Sequence, residues 1–519
     1  NKLFMVKLDK HNPISWTSAN GVWVAGYCFD TEGNFYEKES LIALLQQITE
    51  NHLESFVRSL NGIFACIIER DSETIIIMDK TRLIPLFYAI ENSQVIVSNN
   101  PYTLFPTSPV VDTSALNEYL YSSVVLDEKT LIKGIFQVQP SSYIICKNNH
   151  LDIHHYYTFA VKKHEIAVAK DYNQQFETVL NDVFHRLLTS CKGKQVVVPL
   201  SGGYDSRLIV CMLAKLGYKN VLCYTVGRPN NLELIIAQKV AKTLGYKHVF
   251  ISNETPSYLD DNTFEAYYRY SGYFTNFFWM YEYIGVKTLT EQNIIEKDAI
   301  FIPGHSGDFL AGSQLQKAGI TLETTLNEVE KLVLEQKFAY GNGLKNATIK
   351  QKMNDFIKQR KDYLPYSVFD DVDLLIKLPK NINNAARIYG FFGHQTRLPF
   401  WDNEMIEFFK TLPIEEKQTQ KFYHHYLTSK VFQPMNVAFV DELTYPEWRM
   451  KWYRFKRQCK QLLPTHIQQY ISNPPDYVCM KEISAPLKQQ LPKTATNGMG
   501  GYNRVFLEWY WQQVKKIVD

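Results

Sequence analysis

The chain has 519 residues, of which 45% are hydrophobic and 21% are charged, and its formal net charge is +3. This length is too great for one ordinary domain, and the composition excludes the disordered and fibrous classes. The small net charge gives no indication of a nucleic-acid or membrane-surface partner. We therefore expect a globular protein of about two to four domains.

The eight cysteines are widely spaced, form no CxxC pair, and lie mostly within apolar runs. Buried free thiols in a reducing compartment explain this pattern better than disulfides or a zinc site. No stretch reaches about 18 uninterrupted apolar residues, and the first residues lack a signal-peptide pattern. These features predict a cytoplasmic protein without a membrane span.

The first part of the chain is rich in short β-type segments bounded by turn residues. Helical stretches at residues 39–48 and 113–121 lie between them. The predicted strands are residues 22–27, 62–69, 74–78, 95–98 and 142–146. This pattern predicts a sheet-rich, layered domain over residues 1–160.

A polar, charged segment at residues 161–170 indicates a domain boundary, and a predicted helix at 171–189 follows it. Strands and helices then alternate, which predicts a parallel sheet covered by helices. The strands are residues 195–200, 221–226 and 248–252, and the helices are residues 205–216 and 232–244. After about residue 315 the pattern is mostly helical and aromatic, so we expect a second domain over residues 165–519 with a helical C-terminal extension.

The segment PLSGGYDS lies between the first strand and the first helix of this alternating region. A helix N-terminus presents free backbone N–H groups, and Gly202 and Gly203 let an anion approach them. Ser201 and Ser206 add hydroxyl donors. The Asp205 carboxylate would repel phosphate unless a divalent cation lay between them. Alternatively, Asp205 or Ser206 simply caps the helix, and these arguments do not separate the two interpretations.

The amino-acid sequence of this segment resembles the PP-loop of the ATP pyrophosphatases. Residues 59–88, 231–251 and 303–312 are similar to segments of the asparagine synthetase family, the last to its second phosphate loop. The resemblance implies an α/β protein. Its N-terminal Ntn-hydrolase-like α/β sandwich would be followed by a parallel-sheet PP-loop ATP pyrophosphatase domain, of the adenine nucleotide alpha hydrolase-like type.

The same resemblance implies which residues bind ATP and Mg²⁺. The implied nucleotide-binding residues are Leu200, Ser201, Gly202, Gly203, Asp205, Ser206, Val226, Gly227, Glu233, Gly304 and Ser306. Asp205 and Asp308 would share Mg²⁺ with the pyrophosphate leaving group.

Three further positions are implied as catalytic. His305 stands where relatives carry an acidic residue or a tyrosine, and a near-neutral pKa would suit it as a base for an incoming amine; alternatively it is structural. Arg397 matches a family arginine, and the alternative is a buried ion pair or helix cap involving Asp402. Lys421 and Lys451 are candidates for a family lysine, and the alternative for each is a plain surface residue.

The first domain departs from the family. Glutaminases of this family begin with a cysteine that supplies the nucleophile, whereas this sequence begins with Asn1 and has no cysteine before Cys28. If Asn1 is the native first residue, the departure predicts that the first domain is inactive and does not hydrolyse glutamine.

The resemblance implies an AMP-forming ligase that adenylates a carboxylate and transfers it to ammonia or an amine. The sequences of the two loops are most similar to those of asparagine-synthetase-like proteins that are encoded in bacterial surface-polysaccharide gene clusters. These proteins are related to β-lactam synthetases and lasso-peptide cyclases. Expected partners are a small carboxylate and an amine, such as a sugar acid or a peptide, and a second copy of the chain. The aromatic segment at residues 267–283 either lines a substrate pocket or is core.

Two other functions remain open. A tRNA base as acceptor is disfavoured because the chain has no basic stripe. A non-catalytic or differently specialised ATP-binding protein is favoured by Phe309, which replaces the family's glutamate after Asp308.

Overall fold

The computed structural model describes residues 4–48, 52–148, 150–167, 171–259, 261–341, 343–439, 452, 476–493 and 501–519. Within these ranges, none of the helices combines the length and the apolar character that a membrane span requires.

The first part of the chain forms two sheets. Its strands are β1 (Phe4–Val6), β2 (Thr17–Ala19), β3 (Val22–Phe29), β4 (Phe35–Glu37), β5 (Asn61–Glu69), β6 (Thr74–Met78), β7 (Phe87–Glu91), β8 (Gln94–Ser98), β9 (Ile135–Gln137), β10 (Ser142–Lys147) and β11 (His150–His155). Its helices are α1 (Lys38–Leu45), α2 (Leu53–Ser59) and α3 (Thr113–Ser122). One sheet has the order β1-β8-β7-β9, and the other has the order β11-β10-β6-β5-β3-β2, with β4 paired to β3.

The central strands of the larger sheet are buried on both faces. All five residues of β6 are buried, and β5 and β10 flank it in antiparallel register. A continuous apolar run is typical of a strand that is covered on both sides. The predicted strands of this region are all present, and the layered α/β architecture agrees with the expected Ntn-type amidotransferase-like domain.

The second part contains a five-stranded sheet. It is built from α4 (Tyr172–Cys191), β12 (Val196–Pro199), α5 (Tyr204–Lys215), β13 (Val221–Gly227), α6 (Leu232–Leu244), β14 (Lys247–Ser252), α7 (Asn262–Gly272), α8 (Tyr283–Glu291), β15 (Ile300–Phe301) and a later strand, β16 (Gln395–Thr396). The order is β14-β13-β12-β15-β16, and every adjacent pair is parallel. The predicted parallel sheet is confirmed. In such sheets ligands bind at the carboxyl ends of the strands, where the loops after β12, β13 and β15 lie.

Helices dominate the rest of the described chain. They are α9 (Gly307–Leu310), α10 (Ser313–Ala318), α11 (Leu326–Gln336), α12 (Ala347–Lys358), α13 (Pro365–Val372), α14 (Asn383–Ala385), α15 (Arg387–Phe391), α16 (Asn403–Thr411), α17 (Ile414–Lys417), α18 (Lys421–Tyr426), α19 (Met480–Gln490) and α20 (Tyr502–Val518). Two π-helical segments, Asp373–Ile382 and Leu427–Phe432, adjoin them.

Candidate active site

A cavity of about 890 Å³ opens at the carboxyl end of the five-stranded sheet. Its wall includes the loop between β12 and α5, the end of β13, the first turn of α6 and the loop after β15. This is the position at which the topology of a parallel α/β sheet places ligands, and the volume is that of a small-molecule site.

The loop between β12 and α5 leaves the first backbone N–H groups of α5 available to a ligand. The N-cap of α5 is Gly203, and no side chain caps it. The Ser201 N–H donates to Ser206 Oγ over 3.1 Å, and the Gly203 N–H donates to Ser201 Oγ over 3.1 Å. The interpretation of Asp205 or Ser206 as a simple helix cap is therefore wrong. A loop of this geometry, facing a cavity, suits a phosphate group.

The loop after β15 packs directly against this first loop. A β-carbon at Gly304 would lie 2.8 Å from the Ser206 backbone nitrogen, and one at Gly307 would lie 2.5 Å from Asp205 Cγ. Only glycine permits this approach without displacing a neighbour. The structure thus brings together the two loops that the sequence singled out, although 103 residues separate Asp205 from Asp308.

Asp205 and Asp308 form a pair of carboxylates at the junction. The Asp308 N–H donates to Asp205 Oδ2 over 2.8 Å, and the Tyr423 hydroxyl donates to Asp205 Oδ1 over 2.8 Å. The Ser313 hydroxyl donates to Asp308 Oδ2 over 2.8 Å. Burial, and then the charge of Asp308, raise the pKa of Asp205 to about 8.

This pair has the composition of a Mg²⁺ site that is completed by a ligand. No cluster of three or more His, Cys, Asp or Glu side chains that could hold a metal occurs in the described ranges. Mg²⁺ is commonly held by one or two carboxylates together with water and substrate phosphates, so Asp205 and Asp308 fit it.

The other predicted nucleotide-binding residues divide into two groups. Those in the cavity wall, besides the first loop, are Leu200, Val226, Glu233 and Gly304. Gly227 and Ser306 do not line the cavity, so the structure does not support their predicted nucleotide-binding roles. A β-carbon at Gly227 would lie 2.3 Å from the Tyr477 carbonyl oxygen, and Ser306 Oγ accepts a hydrogen bond from the Trp401 indole over 3.1 Å. Both positions are occupied by protein contacts.

His305 lies in the cavity wall, but its pKa differs from the one that its predicted role requires. Burial lowers the pKa of His305 to about 4, and its Nδ1 has no hydrogen-bond partner among the described residues. The ring is therefore neutral at neutral pH and a weak base. Burial thus opposes the near-neutral pKa that a catalytic base would need, and the unpartnered Nδ1 supports a hydrogen-bonding role toward a ligand.

Arg397 lies outside the cavity, so its predicted catalytic role is corrected. Its side chain is buried, donates to Ser190 Oγ over 2.8 Å and to the Ser190 carbonyl over 3.1 Å, and stacks 4.0 Å from the centre of the Tyr27 ring. Asp402 pairs with Arg186 over 2.9 Å and caps α16. Arg397 therefore joins the two parts of the chain, and Asp402 is both a helix cap and the partner in a partly buried ion pair, with Arg186 rather than Arg397.

Of the two predicted lysines only Lys421 belongs to the described residues, and it does not line the cavity. Lys421 is exposed and pairs with Glu416 over 2.7 Å. It is a surface residue, and the structure does not support its predicted catalytic role. Its neighbours Thr419 and Gln420 line the cavity. Lys451 lies outside the described residues.

Glu282 is a titratable residue of the cavity wall that the sequence did not single out. It lines the cavity, and its Oε2 accepts hydrogen bonds from the hydroxyls of Tyr224, over 3.0 Å, and Tyr389. Burial raises the pKa of Glu282 to about 7, against the effect of these two hydrogen bonds. Its sequence signal was a single acid between Tyr281 and Tyr283. Most of the surrounding aromatic segment is core, but Trp279 and Tyr281 line the cavity.

Comparison with known families gives two matches, one in each part of the chain. Residues 29–157 match a glutamine amidotransferase domain, and residues 180–435 match asparagine synthase. The chain is an asparagine synthetase-like protein. The second match includes β12 to β16 and both loops around Asp205 and Asp308, so the described cavity lies within the synthetase-like region.

Individual relatives are distant. The asparagine synthetase-like chain is 26% identical over 216 residues to the amidase chry2 of Gibberella zeae, which covers 37% of the chain and 31% of that relative. The match thus spans about a third of the relative's length. Two solved structures are 11% identical with a TM-score of 0.18, which is too low to relate the folds. They are the glutamine phosphoribosylpyrophosphate amidotransferase of B. subtilis (57% of this chain, 59% of that chain) and an allosteric regulatory enzyme of purine biosynthesis (56% of each).

Proposed function

We propose that the protein is an ATP-dependent, AMP-forming amide synthetase that adenylates a carboxylate and transfers it to an amine or to ammonia. The observation that carries the proposal is the meeting of the two loops around Asp205 and Asp308 in one cavity at the carboxyl end of the sheet. The asparagine synthase match supports ATP-dependent amide ligation in general.

In the first step the carboxylate oxygen of the substrate attacks the α-phosphorus of ATP. The new P–O bond forms an acyl-adenylate, and the bond to the β-phosphate oxygen breaks to release pyrophosphate. The backbone N–H groups at the start of α5 and the hydroxyls of Ser201 and Ser206 would bind the phosphates. Mg²⁺ held by Asp205 and Asp308 would neutralise the charge on pyrophosphate.

In the second step the amine attacks the acyl carbon, the C–N bond forms, and AMP leaves. The neutral His305 ring would accept a hydrogen bond from a ligand in the cavity. We propose that the nitrogen does not come from glutamine hydrolysed in the first domain. Cys28, Cys66 and Cys146 are buried there, and burial raises the pKa of each thiol, so none of these described cysteines is a thiolate nucleophile.

Pyrophosphate–ATP exchange with a panel of carboxylates tests the proposal. We expect at least one acid to support Mg²⁺-dependent exchange, and we expect Asp308→Asn to reduce that exchange about 100-fold or more. Asp182→Asn, a change at an exposed position on α4, is the matched control. Binding of ATP–Mg²⁺ without exchange for any acid would refute ligase activity, and release of glutamate from glutamine would refute the proposed nitrogen source.

A second candidate is an ATP-binding protein without ligase activity. Phe309 favours it, because this buried ring packs 5.9 Å from the ring of Phe159 at the position where the family carries a glutamate. The same exchange experiment separates the two candidates, since this one predicts nucleotide binding alone.

A further inference from the structure

Glu282 has the geometry of a group that faces a ligand. In the described chain both hydrogen bonds to its carboxylate fall on Oε2, and they come from Tyr224 on β13 and Tyr389 on α15. The Tyr389 ring stacks on Phe301 with a centroid distance of 4.3 Å, so its position is set by the sheet. The carboxylate is therefore held in one orientation, and Oε1 remains for a partner in the cavity.

Among the residues that the structure describes, no positively charged side chain compensates the charge of Glu282. Burial raises its pKa and the two tyrosine hydroxyls oppose that effect, while no Lys, Arg or His side chain of the described ranges contributes. The other titratable groups whose pKa responds to its charge are Tyr267 and Tyr281, and Glu233 also acts on Tyr281. A carboxylate that is enclosed without a cation has a strong preference for a cationic ligand.

The wall of the cavity that contains Glu282 suits an organic amine better than free ammonium. The rings of Trp279 and Tyr281, which shortly precede Glu282 in the sequence, line the cavity. The apolar side chains Ile382, Ala385 and Ile388 line it as well. Aromatic faces attract both cations and planar or apolar groups.

We infer that Glu282 binds the ammonium group of an organic primary amine, the nitrogen donor of the reaction, and takes a proton from it as the amide forms. This inference rests on the proposed function and names the substrate class of its second step.

The proton and electron balance is simple. The ammonium gives one proton to Oε1 of Glu282, and the freed lone pair forms the C–N bond to the acyl carbon. The C–O bond to AMP then breaks, and the second proton leaves nitrogen to the AMP phosphate or to water. A base whose pKa is close to neutrality is well matched to this transfer.

The test separates the two half-reactions. It uses an acid that supports pyrophosphate exchange and compares three nucleophiles at neutral pH: benzylamine, ammonium and hydroxylamine, the last being mostly uncharged. For Glu282→Gln we expect unchanged exchange, a loss of about 100-fold in the rate with benzylamine, and a much smaller loss with hydroxylamine, which is uncharged before it attacks and so loses its one proton only afterwards, to the AMP phosphate or to water. In the wild type we expect benzylamine to be used better than ammonium.

Each of the other possible results would overturn a specific part of the inference about Glu282. Equal loss of exchange and of amide formation would place Glu282 in adenylation, and equal loss with benzylamine and hydroxylamine would remove its role as a base. Better use of ammonium than of benzylamine would refute the organic amine. Failure of the wild type to exchange pyrophosphate with any acid would instead refute the proposed function.

Two controls keep the result interpretable. Glu291→Gln changes an acid at the last residue of α8, where it pairs with Lys287, and should behave as the wild type. Benzylammonium binding to the folded proteins, measured by calorimetry with a non-hydrolysable ATP analogue present, should weaken about 10-fold or more in Glu282→Gln, since a charge-assisted contact is lost. Equal binding would overturn the inference without any turnover assay.

Discussion

The backbone amide of Asp308 donates a hydrogen bond to the Asp205 carboxylate over 2.8 Å. This contact joins two loops that follow adjacent parallel strands, β12 and β15. The contact places two carboxylates side by side, and their repulsion destabilises the protein unless a cation is bound between them. The arrangement of the two loops therefore suits a phosphate ligand that arrives with a cation.

Asp205→Asn should abolish Mg²⁺-dependent pyrophosphate exchange and leave the protein folded. The amide side chain can still accept from the Asp308 N–H, while the charge that would bind the cation is lost. We expect a decrease of about 100-fold or more in exchange and an unchanged or higher thermal midpoint without nucleotide, because the repulsion with Asp308 is removed. A midpoint well below that of the wild type would show that Asp205 mainly stabilises the fold.

Gly307→Ala should separate the two loops. The new β-carbon would lie 2.5 Å from Asp205 Cγ, which is closer than side-chain atoms approach each other. We expect loss of exchange activity together with weaker ATP binding, measured by calorimetry. Gly393→Ala is the comparison, since it lies at φ +86 with open space around it. That variant should lose about 1–2 kcal/mol of unfolding free energy but keep ATP binding.

Arg397→Lys tests whether this arginine is structural. Lysine cannot reproduce the planar set of donors to Ser190 or the stacking on Tyr27. We expect the free energy of unfolding to fall by about 2–3 kcal/mol in urea titrations, with KM for ATP and the exchange rate of the folded protein unchanged. A normal stability with a lower exchange rate would restore the catalytic role.

Tyr389→Phe should shift the pH dependence of amide formation. The Tyr389 hydroxyl favours the ionised form of Glu282, so its loss raises the pKa of Glu282 above about 7. The rise in rate with pH should therefore move to higher pH by up to about one unit, while exchange keeps its pH profile. Tyr246→Phe removes a tyrosine hydrogen bond to the Tyr218 carbonyl instead and should leave both profiles in place.

Glu282 should also leave a signature in the pH dependence of stability. Its folded pKa of about 7 lies above its ordinary value of 4.5, so the folded state holds its proton more tightly than the unfolded state. The contribution of Glu282 to stability then falls as pH rises through this window, by about 3 kcal/mol in total. The unfolding free energy of Glu282→Gln relative to the wild type should increase between these pH values, as measured by urea titration. A constant difference would show that the carboxyl is not perturbed.

The elements of the fold could be predicted closely from local patterns. The strand Thr74–Met78 and the helix Leu232–Leu244 were predicted with the bounds that the structure shows, since continuous apolar runs and a terminal glycine mark them. The first loop was found because glycines after a strand and before a helix are a local signal. Glu282 was missed because its signal is only one acid among aromatic residues.

The sequence by itself determined the succession of strands and helices, the phosphate loop and the family, because each depends on residues that are neighbours in the chain. The tertiary structure alone decided that Arg397, Lys421, Gly227 and Ser306 lie away from the cavity wall, that His305 has a pKa of about 4, and that Glu282 has one of about 7. Burial and hydrogen-bond partners set those properties, and they come from residues that are distant in sequence, such as Tyr224 and Tyr389 around Glu282.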